Sequence, residues 1–117
     1  MHVDAFEFGN ITIDGRRYDH DLIIEGGSVR KRKKGPSKQR KAEFGHTPLT
    51  AREALPLSGK HLWIGTGADG QLPVADDVHE AARRRHVEVL LEPTPRLVER
   101  INAGVPPETG LVIHVTC

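Results

Sequence analysis

The stretch that most constrains this chain is His61-Leu62-Trp63-Ile64-Gly65-Thr66-Gly67-Ala68-Asp69-Gly70. An apolar run stops abruptly at two glycines that flank a threonine. Short apolar runs bounded by glycine read as buried strands. Glycine also admits positive φ and lets another backbone or a ligand come close. The segment therefore predicts a central strand over residues 62–64, ending in a tight loop able to turn amide hydrogens outward.

The rest of the chain can be arranged around that loop. Residues 5–14 alternate and carry Phe6, Phe8, Ile11 and Ile13 about a Gly9-Asn10 turn signal. Gly15 precedes Arg16-Arg17-Tyr18, and Leu22-Ile23-Ile24 is separated by Gly26-Gly27 from Ser28-Val29-Arg30. This half reads as short antiparallel hairpin strands with glycine turns, the last ended by Gly35-Pro36-Ser37. Thr50-Ala51-Arg52-Glu53 has the pattern of a capping box and predicts a short helix limited by Pro56. Beyond the central strand, a helix is expected over residues 77–86, with Val78, Ala81 and Ala82 on one face. Its acids come early and Arg83-Arg84-Arg85 late, as the helix dipole favours. Residues 87–91 are rich in Val and Leu and predict a second buried strand. Thr94 caps a last helix with Pro95 at its first position, an apolar face of Leu97, Val98 and Ile101, and Gly104 at its end. Residues 111–115 form a final strand. Strand, helix, strand, helix, strand favours a parallel or mixed sheet with helices packed on it, its centre near Leu62, Val87 and Leu111.

The 117 residues, without internal repeats or a linker, fit one domain over residues 1–117. No apolar run is long enough to span a membrane, and the first residues lack the pattern of a signal peptide. The one cysteine, Cys117, rules out an internal disulfide and suits a reducing compartment, so a cytoplasmic location is expected. The formal net charge of +1 conceals an asymmetry. Residues 30–41 hold eight of the seventeen basic residues and none of the sixteen acidic ones, which leaves nine basic against sixteen acidic groups elsewhere. That basic segment has no interleaved aromatics for base stacking, so nucleic acid is not the expected partner. A solvated, mobile hairpin is its plainest reading.

Gly65-Thr66-Gly67-Ala68-Asp69-Gly70 spells G-x-G-x-x-G after a strand, and Glu92 follows where a ribose-binding acid stands in dinucleotide folds. Gln71-Leu72-Pro73, however, stands where such a motif enters its helix, and a second mononucleotide half is missing. Two readings remain: a tight turn packed under neighbouring loops, or a nest of amides that binds a small anion or a partner's carboxylate. Thr94 reads first as a helix cap; it lines a pocket if its strand ends at the same sheet edge as the central one. His46, His61 and His114 lack metal-ligand spacing, so no metal site or cofactor is expected. His114 and Cys117 are a poor nucleophile pair so close to a chain end, and no catalytic residue is assigned.

Several ordered pieces carry a resemblance: Tyr18-Asp19-His20-Asp21-Leu22-Ile23-Ile24, His46-Thr47-Pro48-Leu49, Ile64-Gly65-Thr66-Gly67, Pro93-Thr94-Pro95, Ala103 and His114-Val115-Thr116-Cys117. In this set the chain resembles the small single-domain family that includes the adipogenesis-associated Mth domain protein, with the mitochondrial respiratory complex I assembly factor as a relative. The resemblance implies a three-layer α/β domain with a mixed central sheet, no established catalytic residues, and roles with protein partners. This chain shows no mitochondrial presequence and stops at Cys117.

The functional expectation is a non-enzymatic interaction or assembly module with a site on Gly65, Thr66 and Gly67. The alternative is an enzyme or sensor handling a small anionic metabolite or nucleotide. Lys33 and Lys34 are expected to approach the same loop and, with Thr94, complete an anion site. A monomer or weak dimer is expected, since no aromatic hot spot is visible.

Overall fold

In the computed structural model, which describes residues 1–117, glycine turns set the topology of the first third. Strands β1 (Val3–Glu7), β2 (Asn10–Ile13) and β3 (Arg16–Tyr18) form a three-stranded antiparallel sheet. Strands β4 (Leu22–Glu25) and β5 (Ser28–Lys31) make a second hairpin. Its two-residue turn is Gly26-Gly27, both at positive φ, as tight hairpins require. A 3-10 helix over Gly35–Arg40 and the short α1 (Lys41–Phe44) follow. The alternating half then runs β6 (His61–Thr66), α2 (Asp76–Arg84), β7 (Glu88–Glu92), α3 (Thr94–Ala103) and β8 (Thr109–His114).

The main sheet has five strands in the order β5-β4-β8-β6-β7. The pairs β6–β7 and β6–β8 are parallel, whereas β4 joins β8 antiparallel. The sheet is mixed, and both halves of the chain meet along β4–β8. Strand side chains alternate between faces, and that alternation separates two cores. Leu22, Ile24, Leu111 and Ile113 pack with Leu97 and Ile101 of α3 and with Val3, Ile11 and Ile13 of the small sheet. Ile23, Leu62, Ile64 and Val112 pack with Val78 and Ala82 of α2 and with Leu49, Leu57 and Leu72 from the connecting segments. The domain is thus three layers deep with the five-stranded sheet in the middle.

Several local expectations change. The strand beginning near Val87 is not at the sheet centre: β7 is an edge strand, and β8 occupies the middle. No helix follows Thr50. The Glu53 amide reaches the Thr50 carbonyl at 3.2 Å in a single turn, and the Glu53 carboxylate points inward instead of back to Thr50. The first residue of α3 is Thr94 itself, preceded by Pro93 at the cap position, and the Thr94 hydroxyl makes no cap bond. The basic segment is not one hairpin face. Only its first residues belong to β5, Arg32 turns into the interior, Lys33 and Lys34 are irregular, and the helical part begins at Gly35.

Candidate functional site

Parallel β6, β7 and β8 bring their carboxyl ends together, Gly65 beside Glu92 and Thr66 beside His114. Loops at these ends are where α/β sheets place ligands. The glycine loop itself is closed by the chain. A Cβ on Gly67, whose φ is +105°, would lie 2.3 Å from the Cys117 carbonyl carbon, and one on Gly65 would lie 2.9 Å from the Thr94 hydroxyl. The Gly67 amide donates to Thr94 Oγ1 at 2.9 Å, and Thr94 Oγ1 donates to the His114 carbonyl at 2.7 Å. Ala68 donates to the Thr116 carbonyl, Gln71 to that of Cys117, and Leu72 to that of Thr66. The Thr66 hydroxyl donates to the Glu92 carbonyl. Gly65, Thr66, Gly67 and Thr94 therefore form a buried brace for the segment after β8.

That braced segment walls a cleft of about 190 Å³. Arg32, Lys34, Lys41, His46 and His114 contribute its cationic and imidazole side; Thr47, Gln71, Leu72, Thr116 and Cys117 complete it. No Asp or Glu is among the lining residues. Lys34 stands at this end of the sheet, the same end as Thr66, whereas Lys33 is exposed and lines neither this cleft nor the adjoining one. The adjoining cleft, of about 260 Å³, is lined by Asp19, His20, Asp21, Lys31 and Val115, and it shares Arg32, Lys34 and Thr116 with the first.

Beneath the cleft lies a buried polar network. Arg32, 4% exposed, sends Nε and Nη2 to the two Glu53 oxygens at 2.8 and 2.9 Å, Nη1 to Asp21 Oδ2 at 2.9 Å, and Nη2 also to the Pro48 carbonyl at 3.1 Å. Ser37 donates to Glu53 and lies 2.7 Å from the Thr50 hydroxyl. Asp21 accepts from the Val115 amide at 2.9 Å and contacts His114 Nδ1 at 2.8 Å. His114 Nε2 is 3.2 Å from Thr116 Oγ1. Burial opposes ionisation of Asp21, but the His114 hydrogen bond and charge, the Val115 amide and Arg32 outweigh it and hold the carboxyl below its usual range. Burial likewise opposes the Arg32 charge, and Glu53 and then Asp21 raise its pKa in spite of it. Buried charges persist when paired and fully hydrogen-bonded, and no buried side-chain polar atom here lacks a partner. The network fixes the cleft floor while Lys34 and Lys41, which form no ion pair, remain at its rim.

Sequence reasoning missed Asp21, Arg32, Glu53, Lys41 and Thr116 as site residues. Asp21 and His114 are 93 residues apart, so no spacing could have linked them. The one available signal was an Arg inside a basic run flanked by β-strand residues, where burial requires an acid elsewhere.

No protein-family model matches the chain, and no curated protein matches it. Among solved structures it is similar to the conserved hypothetical protein PH1505 from Pyrococcus horikoshii OT3, with 27% identity, all of both chains covered and a TM-score of 0.84. It is also similar to a protein called MT938, with 26% identity over 99% of this chain and 98% of that one and a TM-score of 0.67. An outer membrane protein from Bartonella henselae, 12% identical, covers 98% of this chain with 94% of its own at a TM-score of 0.68, and shares the fold alone. No helix here is long and apolar enough to cross a membrane. The chain thus has the architecture of the conserved hypothetical protein PH1505 along its whole length.

Proposed function

We propose that this chain binds a small anion in the cleft at the carboxyl ends of β6 and β8. The observation that carries the reading is the charge of the lining: Arg32, Lys34, Lys41, His46 and His114 face one small volume with no Asp or Glu side chain among the ten residues around it. Asp21 and Glu53 balance Arg32 from behind, which leaves the two lysines to a ligand. A charge-assisted hydrogen bond contributes about 1.5–3 kcal/mol where water is excluded and less at an open rim, so each lysine is worth roughly tenfold in affinity. The glycine loop supports this site through the terminal segment instead of contacting the ligand. Thermal-shift and calorimetric titration with inorganic phosphate, sulfate and short carboxylates test the reading. Stabilisation lost in Lys34→Glu/Lys41→Glu and kept in Lys33→Glu is the expected result. Flat curves for every anion overturn it.

A second reading uses a different surface and agrees with the resemblance to the Mth domain family. Both edges of the main sheet are open: all four residues of β5 are exposed, and Leu91 of edge strand β7 is 41% exposed. Open edges are templates for strand addition, which favours a cytoplasmic interaction or assembly module that is a monomer or weak dimer by itself. Light scattering with and without Leu91→Lys separates self-association from a monomer, and a partner captured by the wild type but not by this variant supports the module.

A further inference from the structure

We propose that Asp21, His114 and Thr116 form a proton relay that makes the Thr116 hydroxyl a nucleophile toward the acyl group of a small anionic ester; this rests on the anion-binding reading of the same cleft. A nucleophile and a base within hydrogen-bond reach, with the base oriented by a third group, is the geometric signature of such an activated hydroxyl. Here Asp21 Oδ2 lies 2.8 Å from His114 Nδ1, and His114 Nε2 lies 3.2 Å from Thr116 Oγ1. The Asp21 carboxylate is held by the Val115 amide and by Arg32, so it has no proton to give. Nδ1 is therefore the donor, and in the neutral ring the Nε2 lone pair faces the hydroxyl. A merely structural Asp–His clasp between β8 and the start of β4 requires neither that second contact nor an accessible hydroxyl. Thr116 is partly exposed and lines both clefts, and so does Lys34. That places an ammonium group beside the carbonyl under attack.

The chemistry balances with water as the second reactant. Thr116 Oγ attacks the ester carbonyl carbon while its proton passes to His114 Nε2, and Lys34 offsets the charge on the tetrahedral oxygen. The bond from carbon to the alcohol oxygen breaks, and the alcohol leaves with the proton from His114. Water then gives a proton to His114 and attacks the acyl-Thr116 ester. The bond to Thr116 breaks, the hydroxyl regains its proton, and the acid departs. Thr116 and His114 are the catalytic residues, and Asp21 is a positioning residue.

The probe is the para-nitrophenyl monoester of succinate, compared with neutral para-nitrophenyl acetate, with the acyl adduct mapped by peptide mass spectrometry. The expected result is an adduct on Thr116 that forms at least tenfold faster from the anionic ester and is slowed by inorganic phosphate. Thr116→Ser retains an adduct, and Thr116→Val, which replaces the hydroxyl with a methyl group, removes it. His114→Gln removes it too, with folding checked by circular dichroism. Asp21→Asn lowers the rate at saturating ester about 100-fold, because the amide favours the wrong tautomer, and leaves the half-saturating concentration unchanged. Phosphate binding without a Thr116 adduct, or adducts on Cys117 and lysines alone, overturns the relay and leaves the anion site standing. A Thr116 adduct indifferent to ester charge and to phosphate overturns the anionic substrate and the anion site with it.

Discussion

The Gly67 amide donates to the Thr94 hydroxyl at 2.9 Å, and the same hydroxyl donates to the His114 carbonyl at 2.7 Å. One side chain that is fully buried thus ties the ends of β6 and β8 to the start of α3. This accounts for a threonine at the head of a helix it does not cap.

Thr94→Val keeps the shape and removes the hydroxyl. It leaves the buried Gly67 N–H without its partner, at a cost of about 1–3 kcal/mol. Chemical denaturation should show that loss, whereas Thr94→Ser should recover most of it. Equal stability of the Val and Ser variants would mean that the hydroxyl has no bracing role.

Gly67→Ala tests the close approach. The residue has φ of +105°, and the added Cβ meets the Cys117 and Thr116 backbone within 2.8 Å. Strain of about 1–3 kcal/mol is expected, together with displacement of residues 115–117 and weaker phosphate binding. Gly15→Ala has positive φ but open space around it, and its amide bonds to the distant Asp4, so it should lose stability without losing affinity. Amide NMR shifts of Thr116 and Cys117 distinguish the two effects.

The sheet was legible because its signals are local. Glycine pairs mark the hairpins, and apolar runs alternate with amphipathic helices. The position of Leu62-Trp63-Ile64 inside the sheet followed from the same signals. The edge position of β7 did not, since strand order depends on which neighbours β6 accepts on each side. The candidate site was legible in part. Lys34 lines the cleft, but Gly65, Thr66, Gly67 and Thr94 turned out to be its support. The failure at Thr50-Ala51-Arg52-Glu53 is instructive: a capping-box glutamate and a buried ion-pair glutamate look alike locally. Arg32, 21 residues earlier, decides between them, and only the fold brings it there.

Glu53→Ala removes two of the four acceptors of a buried guanidinium and a partner of Ser37. Breaking a buried pair from one side costs about 3–5 kcal/mol, so a large fall in the denaturation midpoint is expected. The Arg40–Glu43 pair is at the surface, and Glu43→Ala should leave the midpoint unchanged. Similar losses in the two variants would argue against a buried network as the foundation of the cleft.

Asp21 sets the last expectation. Its folded pKa is depressed, so the native state holds its proton less readily than the unfolded chain does. The stability this provides is complete above the ordinary aspartate value of about 3.9 and is lost as pH falls through the lower folded value. The wild type should therefore lose stability steeply on acidification below that ordinary value, as Asp21 is protonated and lets go of Arg32, His114 and the Val115 amide. Asp21→Asn should be less stable at neutral pH and show a shallower acid limb, with the two curves converging at low pH. Denaturant midpoints measured across that range decide the matter: parallel curves would show that Asp21 is not the group whose protonation loosens the cleft floor.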